Sequence, residues 1–214
     1  MRGESRGKLL DVGCGVGLFL SHMRELGWQV IGVEADPKTA RIAQQEFGLR
    51  AIPGSLEEAH LADESVDVVT MSHVIEHVRQ PETVLKEAWR VLKPRGRIVV
   101  VTPNVESLGH RAFGACWQHL SPPYHLQLFS AASLLSIAGR AGFAPLAVRT
   151  SSRSAGQTWK VSVQTARRRS ACLPRWYLPP LDAVAALAFH AMEAVARVFD
   201  PNLGEELICE AVKA

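Results

Sequence analysis

Cysteine is scarce in this chain, and the few that occur stand apart. Cys14, Cys116, Cys172 and Cys209 form no C-x-x-C pair, which argues against a zinc site of ordinary ligand spacing and against a disulfide-stapled secreted scaffold. Thiols so scattered read as reduced, and the expectation is a cytoplasmic protein. Charge of one sign is also in short supply. Lysine and arginine number 24 against 21 acids, a net +3, too little for bulk electrostatics to call for nucleic acid. The local excess lies late, in Arg149, Arg153, Lys160, Arg167, Arg168, Arg169 and Arg175. No internal repeat is visible, and no signal peptide is expected, because the charged stretch Met1–Lys8 runs straight into an apolar strand pattern. What remains is an ordinary globular balance: 214 residues, 47% hydrophobic and 21% charged. That is enough for one α/β domain with a sizeable core, and residues 1–214 are expected to form one.

Apolar runs alternate with helical patterns from Lys8 to about Val101, the signal for parallel βαβ units. Strands are expected at Lys8–Val12, Gln29–Glu34, Arg50–Pro53, Val66–Met71 and Gly96–Thr102, with helices at Val16–Leu26, Pro37–Phe47 and Pro81–Leu92. Lys93-Pro94-Arg95-Gly96 should turn the last helix into its strand. Residues 103–129 read as a long loop rich in Gly, Pro, His and aromatics, of the kind that tends to be functional. A helix at Ala131–Ala141 and a strand at Ala144–Arg149 follow. Ser151–Pro180 reads as a basic, Pro-punctuated insertion, Leu181–Phe199 as a long helix and Glu206–Val212 as the final strand.

The most informative run is Leu9-Leu10-Asp11-Val12-Gly13-Cys14-Gly15-Val16-Gly17. It reads as the end of a buried strand turning tightly into a helix. Gly13, Gly15 and Gly17 tolerate positive φ and clear side chains from a ligand's path. Glu34 ends the next apolar run, Val30-Ile31-Gly32-Val33. A carboxylate there, about 20 residues beyond the turn, is where adjacent-strand geometry puts a ribose-binding acid. A dinucleotide fingerprint wants G-x-G-x-x-G with a pyrophosphate on the helix N-terminus. Here the third glycine comes one residue early, and Asp11 would repel a pyrophosphate while helping to hold an ammonium group.

The pattern D-x-G-x-G-x-G followed by G-V-E resembles the class I S-adenosylmethionine-dependent methyltransferases. A second stretch, Asp67-Val68-Val69-Thr70-Met71-Ser72-His73-Val74-Ile75-Glu76-His77-Val78, is similar to ubiquinone-biosynthesis O-methyltransferases and the small-molecule group around them. The resemblance implies an α/β fold, a Rossmann-like, doubly wound, seven-stranded and mostly parallel sheet, here with an α-helical insertion over residues 151–203 before the last strand. Residues 8–102 would be the cofactor-binding half and 103–129 the substrate loop. The implied cofactor is S-adenosyl-L-methionine, with Asp11, Gly13, Gly15, Gly17 and Glu34 as its contacts. Ser55 stands where the family commonly has an acid beside the adenine, so the adenine would rest on backbone groups and Leu56. Met71 and Ser72, at the carboxyl end of the fourth strand, would meet the methionine moiety. Asp36 is expected to cap the following helix. The family usually has helices ahead of the first strand; a start by Lys8 suggests a truncated or misassigned beginning, or an open site.

The implied activity is methyl transfer to a small-molecule oxygen, nitrogen or carbon. The alternatives are a cofactor-binding module without catalysis, an enzyme acting on a membrane-held lipid or quinone precursor, and an NAD-type oxidoreductase. Trp117, His119, Tyr124, His125 and Phe129 crowd the 103–129 segment, which suits a pocket for a planar or partly apolar substrate with a histidine as general base. His125 is the first candidate, His73 the second and His119 the third; the alternative is that Trp117 and Phe129 close the core while the histidines cap backbone groups.

Three further motifs point elsewhere. His73-Val74-Ile75-Glu76-His77 matches the H-x-x-E-H zinc protease pattern, but His73 leaves a strand, so helical spacing should not hold and no metal is assigned. Ser121-Pro122-Pro123-Tyr124 resembles the S-P-P-Y motif of amino-methyltransferases acting on DNA bases. There the motif follows the fourth strand; here it comes well after the fifth, and position counts against nucleic acid. Asp182, Ala186, His190, Glu193 and Arg197 recur at helical spacing, one narrow polar stripe on an apolar cylinder. Such a helix is expected to pack on its own domain or on a second subunit, leaving a monomer or homodimer, with peripheral membrane contact as the alternative.

Overall fold

The computed structural model describes residues 6–168 and 182–214. Its strands are β1 (Lys8–Val12), β2 (Gln29–Glu34), β3 (Ala51–Pro53), β4 (Val66–Ser72), β5 (Leu92–Pro103), β6 (Phe143–Ser151) and β7 (Glu206–Lys213). They form one seven-stranded sheet in the order β3-β2-β1-β4-β5-β7-β6. Neighbours from β3 to β5 pair in parallel, whereas β7 runs antiparallel to both β5 and β6. The chain winds outward from β1 through β2 and β3, then returns to β4 on the other side. The carboxyl ends of β1 and β4 therefore flank the point where open α/β sheets bind ligands.

The helices are α1 (Leu18–Glu25), α2 (Pro37–Phe47), α3 (Pro81–Val91), α4 (Leu108–Phe113), α5 (Ala131–Arg140), α6 (Ala155–Arg168) and α7 (Asp182–Phe199). Strand alternation divides the core between the sheet's two faces. Leu9 packs with Leu20, Ala40 and Ala43 under α1 and α2. Leu10 and Val12 point the other way, into a cluster with Leu85, Ala88, Leu134 and Ile137 of α3 and α5. A third cluster, with Phe113, Trp117, Trp159 and Phe189 fully buried, joins α4, α6 and α7 near the carboxyl ends of the strands.

Several expectations need correction. Residues 103–129 are not a plain loop. Ser107 caps α4 by accepting the His110 N–H at 3.1 Å, and Gly114, at φ +50°, closes it. The insertion expected over residues 151–203 is helical, but it holds a helix ahead of the one placed at Leu181–Phe199: α6, whose inward face is Ala155, Thr158, Trp159, Ser162, Val163 and Ala166. The spacing is helical, but small and hydroxyl residues hide it from a hydrophobicity pattern. β5 begins at Leu92 rather than Gly96, because Leu92 already pairs with Val66 ahead of a register shift. Arg95 takes the left-handed conformation, φ +64°, within it. On α7 the polar stripe faces inward: Ala186 and Glu193 are buried, while Leu187 is 70% exposed. Asp182's side chain, Arg169, Cys172 and Arg175 lie outside the described residues. No helix among the described residues is long and apolar enough to cross a membrane.

Candidate functional site

The turn after β1 is held to β2, with the Gly13 and Cys14 N–H groups both donating to the Val33 carbonyl at 2.8 and 3.1 Å. The three glycines serve different ends. A Cβ on Gly13 would meet Val74 Cγ2 at 2.3 Å and one on Gly17 would meet Leu49 Cδ1 at 2.4 Å, so those two allow close packing. Gly15 alone faces open space. Its N–H donates to Glu34 Oε2 at 2.8 Å, while Glu34 Oε1 accepts the Asp36 N–H at 3.0 Å. The carboxylate is thus aimed before any ligand arrives. Asp36 itself caps α2, accepting the Lys38 and Thr39 N–H groups.

Glu34 borders a cavity of about 380 Å³, with Gly13, Ser55, Leu56, Val74 and His73 among its other walls. That volume suits a nucleoside. Leu56 is buried and offers an apolar wall. Ser55 and Glu58 exchange hydrogen bonds, N–H to Oε2 at 2.8 Å and N–H to Oγ at 3.3 Å, which shapes the turn beneath it. Glu57 also lines the cavity, an acid that the substitution at Ser55 concealed.

Across the glycine turn lies a second cavity of about 470 Å³, bordered by Asp11, Gly15, Thr70, Met71, Ser72 and Arg153. Asp11 is buried and accepts the Thr70 hydroxyl at 2.6 Å. Burial pushes its carboxyl up to about 6, Thr70 opposes the shift and the Glu34 charge adds to it. A cation entering this cavity would hold Asp11 ionised. Taken together, an open Gly15, a carboxylate aimed for a diol and an acid suited to a cation fit an S-adenosylmethionine-type ligand.

Beyond Ser72 the histidines gather. His73, at φ +55°, sits between two carboxylates, Nδ1 to Glu76 Oε1 at 3.2 Å and Nε2 to Glu206 Oε1 at 3.3 Å. Both ring nitrogens can donate only when the ring is an imidazolium. Glu206 and Glu76 accordingly push its pKa up to about 9 against the opposing effect of burial. His119 goes the other way, down to about 4, through its own burial and the neighbouring His73 and His125 rings. Its ring stacks with both, at centroid distances of 6.3 and 6.2 Å. His125 Nδ1 lies 2.7 Å from the His119 carbonyl. A carbonyl only accepts, so Nδ1 carries the hydrogen and Nε2 is the acceptor of the neutral ring. These three histidines, with Gln118, Ser121, Ser154 and Glu206, line a pocket of about 460 Å³.

The H-x-x-E-H stretch is a strand end followed by a single turn of 3-10 helix at Ile75–His77. Glu76, His77 and His125 nonetheless bring one ligand atom each within 4.8 Å of one another, a group that could hold a metal ion. Glu76 is already bonded to His73 and to the Thr102 hydroxyl at 2.9 Å. Tyr124 of the S-P-P-Y stretch is 71% exposed, and its carbonyl lies 2.9 Å from His77 Nδ1. Trp117 and Phe129 are buried in the core, at 2% and 3% exposure.

A methyltransferase-domain family profile matches residues 2–148. The chain belongs to that family. Among relatives, a ubiquinone biosynthesis O-methyltransferase of Idiomarina loihiensis is 41% identical over 103 residues, 45% of this chain and 42% of the relative. A probable S-adenosylmethionine-dependent methyltransferase of Mycolicibacterium smegmatis is 32% identical over 136 residues, 63% of this chain and 51% of the relative. The chain spans about half the length, or less, of these curated relatives. A solved structure from Thermotoga maritima, described as an SAM-dependent methyltransferase and possible histamine N-methyltransferase, aligns with a TM-score of 0.64 at 24% identity, covering 99% of this chain and 84% of that one. At that identity the likeness speaks to the fold, Rossmann-like with a mixed sheet. In this methyltransferase-domain chain Asp11, Gly15 and Glu34 converge on the first two cavities, with Ser55 and Leu56 on one side and Met71 and Ser72 on the other. His73, His119 and His125 share the third. Glu206, Glu57 and Arg153 were not read from the sequence as site residues. A glutamate opening the last strand was the available signal for the first of them.

Proposed function

We propose that the chain transfers a methyl group from S-adenosylmethionine to a small-molecule acceptor, and that the accepting atom is an oxygen. The observation that carries this reading is the Glu34 carboxylate held by the Gly15 and Asp36 N–H groups beside a nucleoside-sized cavity. Oxygen is favoured by the names of the relatives and by the histidine pocket, since a hydroxyl must lose a proton. When bound, the cofactor supplies an electrophilic methyl on a sulfonium, already a good leaving group.

The chain's own residues bind, orient and move a proton. Glu34 accepts the ribose hydroxyls, Leu56 packs on the adenine, and Asp11 faces the cationic portion. Orientation of the acceptor oxygen along the methyl–sulfur axis accounts for most of the rate. His73, held as an imidazolium with both N–H groups committed to Glu76 and Glu206, fixes those two carboxylates beside the histidine pocket. His125 Nε2 takes the hydroxyl proton, with the His119 carbonyl fixing its tautomer. The test is release of S-adenosylhomocysteine across a panel of phenols, catechols and amines, with Glu34→Ala and His125→Gln beside the unaltered protein. Turnover confined to hydroxyl acceptors and lost in both variants is expected. Binding of NADH in a fluorescence titration without binding of S-adenosylhomocysteine would refute the reading.

A further inference from the structure

Three arginines converge where β6 ends. Arg149 on the strand, Arg153 in the turn beyond it and Arg197 on α7 border one open groove of about 580 Å³, with Ser151, Ser152 and Glu210. The guanidinium groups have different surroundings. Arg149 pairs with Glu210 across the β6–β7 ladder. Arg197 is fixed against the backbone: Nε donates to Thr150 Oγ1 at 3.1 Å, a second nitrogen to the Thr150 carbonyl, and the third to Ser152 Oγ at 3.4 Å. Arg153 is exposed, and among the described residues its guanidinium has no carboxylate partner. Three cations thus face one acid. Ser151 Oγ accepts the Arg153 N–H at 3.1 Å and Ser152 Oγ accepts from Arg197, so each hydroxyl keeps its own hydrogen to donate.

Position gives this groove its meaning. Arg153 is the residue common to the groove and to the 470 Å³ cavity that holds Asp11, Gly15 and Ser72. A molecule with one end in the groove can extend past Arg153 into the cavity where Asp11 would face the cofactor's cationic portion. A planar guanidinium matches the paired oxygens of a carboxylate or phosphate, and such charge-assisted bonds are about twice as strong as neutral ones. Arg197, already held in place, loses little freedom when it joins them.

We propose that Arg153, with Arg197 and the Ser152 hydroxyl, is an anion-recognition site, and that the acceptor carries a carboxylate or phosphate seated there. That the neighbouring cavity receives the cofactor's cationic portion rests on the reading given above; the anion site itself is tested by binding alone.

The experiment titrates the protein, saturated with S-adenosylhomocysteine, with benzoate, with benzamide as its neutral counterpart, and with inorganic phosphate. Benzoate should bind about tenfold or more tightly than benzamide, the size expected of a charge-assisted contact. Arg153→Gln should erase that difference, and Arg153→Lys should restore part of it. Phosphate competing with benzoate would identify the site as one for oxyanions generally; benzoate binding that phosphate cannot displace would assign it to carboxylates. Equal binding of benzoate and benzamide overturns the proposal. So does an Arg153→Gln variant that weakens S-adenosylhomocysteine and spares benzoate, for Arg153 would then serve the cofactor's own carboxylate. Because the readout is binding, the site stands or falls even if no acceptor is turned over.

Discussion

Glu34 and Gly15, from neighbouring strand ends, are joined by a 2.8 Å hydrogen bond from backbone N–H to carboxylate. The bond aims an acid into the 380 Å³ cavity, while the open face of Gly15 borders the 470 Å³ one. It also makes Glu34 a part of the turn and not merely a residue beside it, which shapes what its removal should do.

Glu34→Ala should weaken S-adenosylhomocysteine binding by roughly 1.5–3 kcal/mol, the loss of charge-assisted bonds to a ribose diol. Glu34→Gln keeps one oxygen as an acceptor for Gly15 and should lose less. Calorimetry on the pair separates the two contributions. Equal affinity in all three proteins would move the ribose site elsewhere.

His73 offers a second test. Glu206 and Glu76 raise its pKa from an ordinary 6.5 to about 9. The folded state therefore binds this proton more tightly than the unfolded chain. The resulting stability is fully present below about pH 6.5 and is lost as pH rises through 9. Glu206→Gln should bring the His73 pKa down toward its ordinary range and move the alkaline limb of the stability profile to lower pH. Histidine proton–nitrogen correlation spectra follow the ring directly, and an unshifted His73 titration in the variant would show that Glu206 is not its partner in solution.

Glu193 and Glu205 form a buried acid pair beneath the α4–α6–α7 cluster, with the Glu205 N–H on Glu193 Oε1 at 3.2 Å. Glu205 accepts the Gly109 N–H at 2.7 Å and the Trp117 N–H at 2.9 Å, so it is the better placed to hold charge. Burial and Glu205 push Glu193 up to about 8, with Arg197 opposing. A carboxyl raised this way favours folding while protonated, and its contribution falls as pH climbs from about 4.5 through 8. Glu193→Gln keeps the shape without the titration. Its melting temperature should exceed that of the unaltered protein at pH 9, with the gap closing toward pH 5. A gap that does not vary with pH would place the effect in packing alone.

The half of the site built from β1, β2 and β4 was legible because its signals are local. A glycine turn, an acid at a strand end and the Asp36 cap each declare themselves within a few residues. The histidine pocket was legible only as a list. His73 could be named from its place after β4, but its charge state depends on Glu206, which reaches it through an antiparallel strand from the far end of the chain. A base was expected there, and the two carboxylates make it a cation. α6 was missed for a different reason: its buried face is Ala, Thr and Ser as much as Trp and Val, so its helical spacing leaves little trace in the hydrophobicity pattern.

α7 tests the remaining expectation, that the helix packs on protein. Its inner face does. Phe189, 1% exposed, meets Trp159 and Phe113 at ring distances of 5.2 and 6.1 Å. Phe189→Ala should cost about 3–5 kcal/mol of stability. The outer face is different, for Val184, Leu187, Val195 and Val198 are all exposed, an apolar stripe with no partner among the described residues. Leu187→Asp should leave the monomer's unfolding free energy within about 0.5 kcal/mol, because the new carboxylate stays in water. Its informative effect is on association. A protein that sediments as a dimer and dissociates on Leu187→Asp assigns the stripe to a second subunit, the outcome expected here. If the protein is monomeric, partitions onto anionic vesicles and loses that partitioning in the variant, the stripe is a membrane face instead, and an acceptor held in the membrane becomes the better reading of the substrate.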